Sequence, residues 1–234
     1  MSHEISLALS RQQVRDFDRF CIEELKVPGI VLMENAGKNA AETIFQAIDA
    51  KPANIAIVAG GGNNGGDGFV IARHLINIGY RVRTFVVADE QKIAGDARTN
   101  LEILKNIGAD IEFLIDPKGE NDRVGFLADM LEDADLVIDA IGGTGITGAL
   151  RFNVALAVEQ VNQACDRETK PVIAIDIPTG LDCDTGHADG PVIVAVLTIT
   201  FVASKTGFIN PEAKLFTGEV KIADIGIDPN IFAS

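Results

Sequence analysis

The stretch Ile55–Leu75 reads IAIVAGGGNNGGDGFVIARHL and carries the decision about the fold. Its first part is a short apolar run without strict alternation, as expected of a strand buried on both faces of a parallel sheet. A Gly-rich turn and then an amphipathic segment follow, predicting a helix over Phe69–Ile78. Gly60, Gly62 and Gly65 satisfy G-x-G-x-x-G between strand and helix, where glycines permit a tight turn and close backbone approach. Free amides at such a helix start attract anions, so the loop reads as part of a site for a nucleotide-like molecule. A bare strand-to-helix turn would explain the glycines but not Asn63, Asn64 and Asp67.

Working outward, apolar runs recur at Val82–Val87, Ile111–Ile115, Leu136–Ile141, Val172–Ile177, Val196–Val202 and Val220–Ile222. Amphipathic segments at Asp96–Ile107, Arg123–Leu131 and Ala155–Cys165 lie between them. Alternating strand and helix predicts an α/β fold, a Rossmann-like three-layer αβα sandwich with a mostly parallel central sheet. The tail after Val196 reads as consecutive strands rather than another helical crossover. Upstream, Ser10 with Gln13 reads as a capping box, with Val14, Phe17, Cys21 and Leu25 at helical spacing behind it. A second helix is expected from about Gly29 to Ile48. No linker or repeat divides the chain, so residues 1–234 are expected to form one domain.

Charge narrows the function. A net charge of -14 in 234 residues, with a pI near 4.5, disfavours nucleic acid and anionic lipid as partners. No apolar run reaches the roughly 20 residues of a membrane span, and MSHEISLALSRQQ lacks the pattern of a secretory signal. Cys21, Cys165 and Cys183 are odd in number and widely spaced, which suits a reducing cytoplasm. His3, His74 and His187 are scattered and form no zinc spacing; His74 reads as packing or surface, and Cys183 as incidental.

The polar sequences follow three strand runs: GGGNNGGDG, GGTGITG after Asp139, and PTGLDCDTG after Asp176. Ligands of open α/β sheets bind beyond the carboxyl ends of the strands, so the three can share one crevice. The fingerprint with Asp89 downstream would suit an NAD-dependent dehydrogenase. Against that, Asp67 in the first turn of the helix would compete with a pyrophosphate for the same amides. The loop lacks the Lys-Ser/Thr pair of a P-loop. Asp139 and Asp176 can cap loops, bind a cation, or act as acid or base. Oxygens of Asn64, Asp139 and Thr179 could surround a monovalent ion or Mg²⁺. Lys205 is either a solvated strand-end lysine or a group that orients a phosphate or aids proton transfer.

Five segments then resemble one family in its order. They are VLMENAG (Val31–Gly37), GNNGGDG (Gly62–Gly68) followed by ARHL, DAIGGTG (Asp139–Gly145), AIDIPTGLDCDTG (Ala174–Gly186) and TITFVASKTG (Thr198–Gly207). Together they look like NAD(P)H-hydrate epimerase, whose members interconvert the R and S forms of hydrated NADH and NADPH. A partner dehydratase uses only the S form, so the activity is metabolite repair; many bacterial members are fused to that dehydratase, and this chain looks free-standing. The resemblance implies substrate contacts at Asn63, Asn64, Gly65, Gly66 and Asp67, at Gly143, Thr144, Gly145, Ile146, Thr147, Gly148 and Ala149, and at Asp176. It implies one potassium ion per subunit on Asn64, Asp139 and Thr179, and a homodimer. Hydrated NAD(P)H is then substrate rather than cofactor. Asp176 is expected to be the principal acid/base, with Lys205 assisting. Three residues depart from the family pattern. Gly61 replaces a proline, which predicts a more flexible turn; Thr179 replaces a serine, and Gly142 an aromatic. A non-catalytic binding module of the same fold is the other class of function, and retention of Asp176 and Lys205 favours the enzyme.

Overall fold

The computed structural model describes residues 8–48, 54–119, 122–166 and 169–232, which leaves His3 and most of MSHEISLALSRQQ outside it. Strand β1 (Ala8–Leu9) leads into helices α1 (Arg11–Glu23) and α2 (Gly29–Ala47). Then follow β2 (Asn54–Ala59), α3 (Asn63–Asn77), β3 (Arg81–Val86), α4 (Gly95–Asn106) and β4 (Asp110–Phe113). The chain continues with α5 (Leu127–Met130), β5 (Leu136–Ala140), α6 (Phe152–Ala164), β6 (Val172–Ile175) and β7 (Leu197–Phe201). It ends with β8 (Ser204–Lys205), α7 (Lys214–Thr217) and β9 (Glu219–Ala223).

Seven strands form one sheet in the order β4-β3-β2-β5-β6-β7-β9, with every neighbouring pair parallel. The Rossmann-like sandwich is therefore as expected. Residue alternation along β2 builds its two cores. Ile55, Ile57 and Ala59 face a core with Phe17, Ile44, Phe69 and Leu101, whereas Ala56 and Val58 face one with Phe85, Leu127 and Val158. Burial on both faces explains the unbroken apolar runs in the sequence.

The chain leaves β2 toward β3 on one side, then returns to place β5 on the other, so the topological switch lies between β2 and β5. Such a reversal opens a crevice at the carboxyl ends of the strands.

Several boundaries differ from the sequence reading. Helix α3 starts at Asn63 rather than Phe69, taking the second half of the Gly-rich loop into the helix. Asp67 accordingly sits in the second turn, not the first. The segment expected as one helix over Arg123–Leu131 is a 3-10 turn (Val124–Phe126) followed by the single turn of α5. Leu25 falls beyond α1 and is exposed. In the tail, β7 and β9 are parallel neighbours and need a crossover, supplied by two 3-10 turns and α7 instead of a long helix. The Ser10–Gln13 capping box is formed as read. Among the described residues no helix is long and apolar enough to cross a membrane.

Candidate active site

The first wall of the crevice is the start of α3, and its glycines are there for packing. A Cβ on Gly65 would lie 1.9 Å from the carbonyl oxygen of Gly60, and one on Gly68 would lie 2.7 Å from the Cβ of Ala140. A Cβ on Gly66 would meet Met33 Sδ of α2 at 2.7 Å, a side chain that could turn aside, whereas the contacts at Gly65 and Gly68 bring helix and sheet closer than a Cβ would allow. Helical glycine costs roughly 0.5–1 kcal/mol relative to alanine, and the close approach is what offsets that cost. Gly60 also donates its amide to Ala140 O at 3.0 Å, tying the β2 turn to the end of β5. Gly61 packs with its Cα against Ala88, where a Cβ would come within 2.9 Å.

The second wall is the loop after β5. Asp139 is fully buried, and its oxygens accept from Ile141 N (3.1 Å), Thr179 N (2.8 Å) and Thr179 Oγ1 (2.7 Å). Burial nevertheless pushes its carboxyl up to about 6, against the downward pull of those hydrogen bonds. Thr179 Oγ1 in turn accepts from Gly142 N at 3.0 Å. At Gly142, where the family pattern has an aromatic, Ile146 packs over the position: a Cβ there would sit 2.0 Å from Ile146 Cδ1, which would have to turn away.

Beside this corner, Asn64 is 8% exposed, yet neither Nδ2 nor Oδ1 has a hydrogen-bond partner. Leaving a buried amide unmatched costs about 1–3 kcal/mol, so the side chain is placed for something other than the protein. An amide oxygen, a hydroxyl, a carbonyl and one buried carboxylate suit a monovalent cation, since the formal charge is low. Among the described residues no three His, Cys, Asp or Glu side chains gather to hold a metal ion. By their chemistry, Asn64, Asp139 and Thr179 are the residues that would hold an ion of low charge.

The third wall comes from β6 and β8. Asp176 has φ +66, a left-handed conformation that is strained for a non-glycine residue. Its carboxylate accepts from Lys205 Nζ through Oδ1 (3.0 Å) and from Thr144 N through Oδ2 (2.9 Å). Lys205 is fully buried and also donates to Phe201 O at 3.0 Å. The solvated strand-end reading of Lys205 is thus overturned, because pairing of β8 with β1 covers it.

Helix α1 closes the fourth side. Asp18 borders the cleft, and burial, then the nearby Asp176, raise its carboxyl to about 6, with Lys205 pulling the other way. Asp67, 9% exposed, is raised well above the usual carboxylate range by burial, then by Asp176 and Asp18. Arg11 pins the loops: its Nε donates to Thr144 O (2.8 Å), Nη2 to Asp182 (2.7 Å) and Nη1 to Asp184 (3.2 Å). Burial opposes the charge of Asp182, yet bonds from Arg11, Thr185 and Asp184 bring its carboxyl down to about 2.

These walls enclose a cleft of about 1150 Å³ lined by Asn63, Asn64, Asp67, Asp176, Lys205 and the segment from Gly143 to Thr147. That exceeds the usual ~300–1,000 Å³ of small-molecule pockets and suits a molecule of dinucleotide size. The other residues singled out in the sequence stand differently. Gly65 and Gly66 are buried in packing, Gly148 (φ +67) and Ala149 are exposed on the loop outside the lining, and Asp139 and Thr179 sit beneath it. Asp89 borders the cleft, but its carboxylate accepts from Gln91 N (2.9 Å) and pairs with Lys92 (3.3 Å), so it is engaged as a cap. His74 is half-buried and pairs with Glu34, and Cys183 is buried with its thiol pushed up to about 12, chiefly by that burial. Sequence reading missed Asp18 and Arg11. The signal for Asp18 was an acid one place after Phe17, on the apolar face of α1 formed by Val14, Phe17 and Cys21.

Comparison with known proteins bears on this geometry. The model of the YjeF-related protein N-terminus matches residues 29–207. The chain belongs to this family. It is 39% identical to an NAD(P)H-hydrate epimerase of Rhodopirellula baltica, over 92% of this chain and 83% of that protein. It is 43% identical to the bifunctional NAD(P)H-hydrate repair enzyme Nnr of Moorella thermoacetica, over 95% of this chain but 41% of that longer protein. The crystal structure of the yeast protein YNL200c superposes with a TM-score of 0.76 at 20% identity, covering 95% of both chains, and corroborates the fold.

Proposed function

We infer that this YjeF-type chain is an NAD(P)H-hydrate epimerase, interconverting the R and S forms of hydrated NADH and NADPH. The observation that carries the reading is the meeting of Asp176, Lys205, Asp67 and the unpartnered Asn64 on one cleft at the strand ends. An ordinary dinucleotide cradle has no use for buried carboxylates there, whereas an epimerase must move protons. The nucleotide is the substrate.

The carbon that inverts bears a hydroxyl beside a ring nitrogen, and inversion breaks and remakes a bond at that carbon. A group must take a proton and another must give one, with developing charge stabilised nearby. Asp176 is the principal proton-transfer group, held in place by Lys205 and the Thr144 amide. Lys205 assists by fixing the carboxylate and offsetting its charge. Asn63, Asn64, Asp67 and the Gly143–Thr147 segment hold the substrate. A potassium ion on Asn64, Asp139 and Thr179 would neutralise the buried Asp139 and order the loops that meet there. The family reading extends to a cytoplasmic homodimer working beside a separate dehydratase that consumes the S form. α1 and α2 carry exposed Ile22, Val31 and Phe45 that an N-terminal interface could cover.

Asp176→Asn should fold and lose about 10²–10⁴-fold in kcat for R/S exchange. Wild-type exchange by the folded variant would remove Asp176 from the chemistry.

A further inference from the structure

We propose that Asp18, on helix α1, is a second catalytic residue: it gives the proton that Asp176 and Lys205 cannot. The inference rests on the epimerase reading.

Asp176 and Lys205 at the strand ends are fully engaged with one another and with the main chain. One oxygen of Asp176 accepts from an ammonium and the other from a main-chain amide. Lys205 is wholly buried, donates to Asp176 and Phe201 O, and is the cation of an ion pair. Such a pair can receive a proton at the carboxylate, but it offers no free acid to the opposite end of the reaction. Asp18 differs on each count. Its carboxyl lies on the cleft wall with Asp67, Asp176 and Lys205, and among the described residues it makes no hydrogen bond and no ion pair. It is half-buried, so substrate can reach it.

The groups facing Asp18 are Asp176 and Lys205 from the strand ends, Asp67 from α3 and Cys21 one turn along α1. Arg15, exposed, stands on the same wall. The charge of Asp176 bears on both Asp18 and Asp67, and Lys205 offsets it at Asp18, so the carboxyl groups on this wall cannot all ionise cheaply. Asp67 is 9% exposed and burial raises its carboxyl well above the usual range, whereas Asp18 is half-buried. Asp18, at about 6 through burial and then Asp176, can both hold and release a proton near working pH. The unpartnered, nine-tenths-buried amide of Asn64 on the same cleft independently marks the space as a ligand's.

The step balances without any further reagent. Asp176 takes the hydroxyl proton, a carbonyl forms at that carbon, and the carbon–nitrogen bond breaks with its electron pair going to nitrogen. Asp18 protonates the nitrogen. Rotation about the neighbouring carbon–carbon bond turns the other face of the aldehyde to the nitrogen. Ring closure then runs the transfers in reverse and returns both carboxyl groups to their starting states.

The test follows R/S exchange of one purified epimer by the full chain, comparing wild type with Asp18→Asn and Asp18→Glu from pH 5 to 8. Asp18→Asn should lower kcat about 10²–10⁴-fold with KM changed only a few-fold. It should also remove the limb on which wild-type kcat/KM falls as pH rises through about 6, while Asp18→Glu restores part of the rate. Wild-type kcat in Asp18→Asn, or the same limb in its residual activity, would overturn the inference and leave the epimerase reading standing. If Asp18→Asn does not fold, absence of that limb from the wild-type profile overturns it equally. A wild-type chain with no exchange at all would defeat the epimerase reading first, and this assignment with it.

Discussion

Asp139 and Asn64 are the residues whose state most needs explaining. Asp139 is buried without a cationic side chain, and its carboxyl stands at about 6 instead of the usual 3.8. Between those values the folded chain keeps a proton that the unfolded chain has lost, so folding stability falls as pH rises through that window. Asp18 adds a contribution of the same sign over the same window. A cation bound by the ionised Asp139 with Asn64 and Thr179 would offset the loss. Thermal unfolding in a large organic cation should therefore show Tm falling from about pH 4.5 to 7. Potassium should raise Tm at pH 7 and have little effect at pH 4.5. Equal Tm values in both salts at pH 7 would remove the ion from this site. None of this could be read from the residue types. Asp139 in a sequence is equally a loop cap, and the structure shows it also doing that work through the amides of Ile141 and Thr179.

At the scale of the element, α3 explains why the Gly-rich loop misled as to its own end. Glycine and asparagine are poor helix formers, which moves a sequence-based start to Phe69, yet tertiary contact pulls Asn63–Gly68 into the helix. The same contact makes a prediction. Gly65→Ala sets a Cβ 1.9 Å from a main-chain oxygen of the adjoining turn, which cannot rotate away as a side chain would. Chemical denaturation should show a loss of about 1–3 kcal/mol, despite alanine's better helix propensity. An unchanged or raised stability would mean that α3 does not sit this close to the turn after β2. Helix α1 presents the opposite lesson. Its cap and apolar spacing were legible, but its function was not, because pairing of β1 with β8 brings it to Lys205 from nearly 190 residues away in sequence. Local patterns carry no information about such a meeting.

For the whole molecule, the parallel sheet was legible because burial on both faces writes unbroken Val and Ile runs into the chain. The crevice was legible because three Gly-rich segments follow three of those runs. The proton inventory of the site was not, since it depends on which carboxylates meet on one cleft and how deeply each is buried. Asp67 changes most: read first as a rival to a pyrophosphate at a helix start, it is one of a group of acids lining a substrate cleft. An epimerase alters the nucleotide in that cleft, whereas a binding module merely holds it. Purified (R)-hydrated NADH, incubated with the chain in potassium buffer and followed by NMR or chromatography, should reach the R/S equilibrium far faster than without protein. Exchange at the uncatalysed rate would contradict the account.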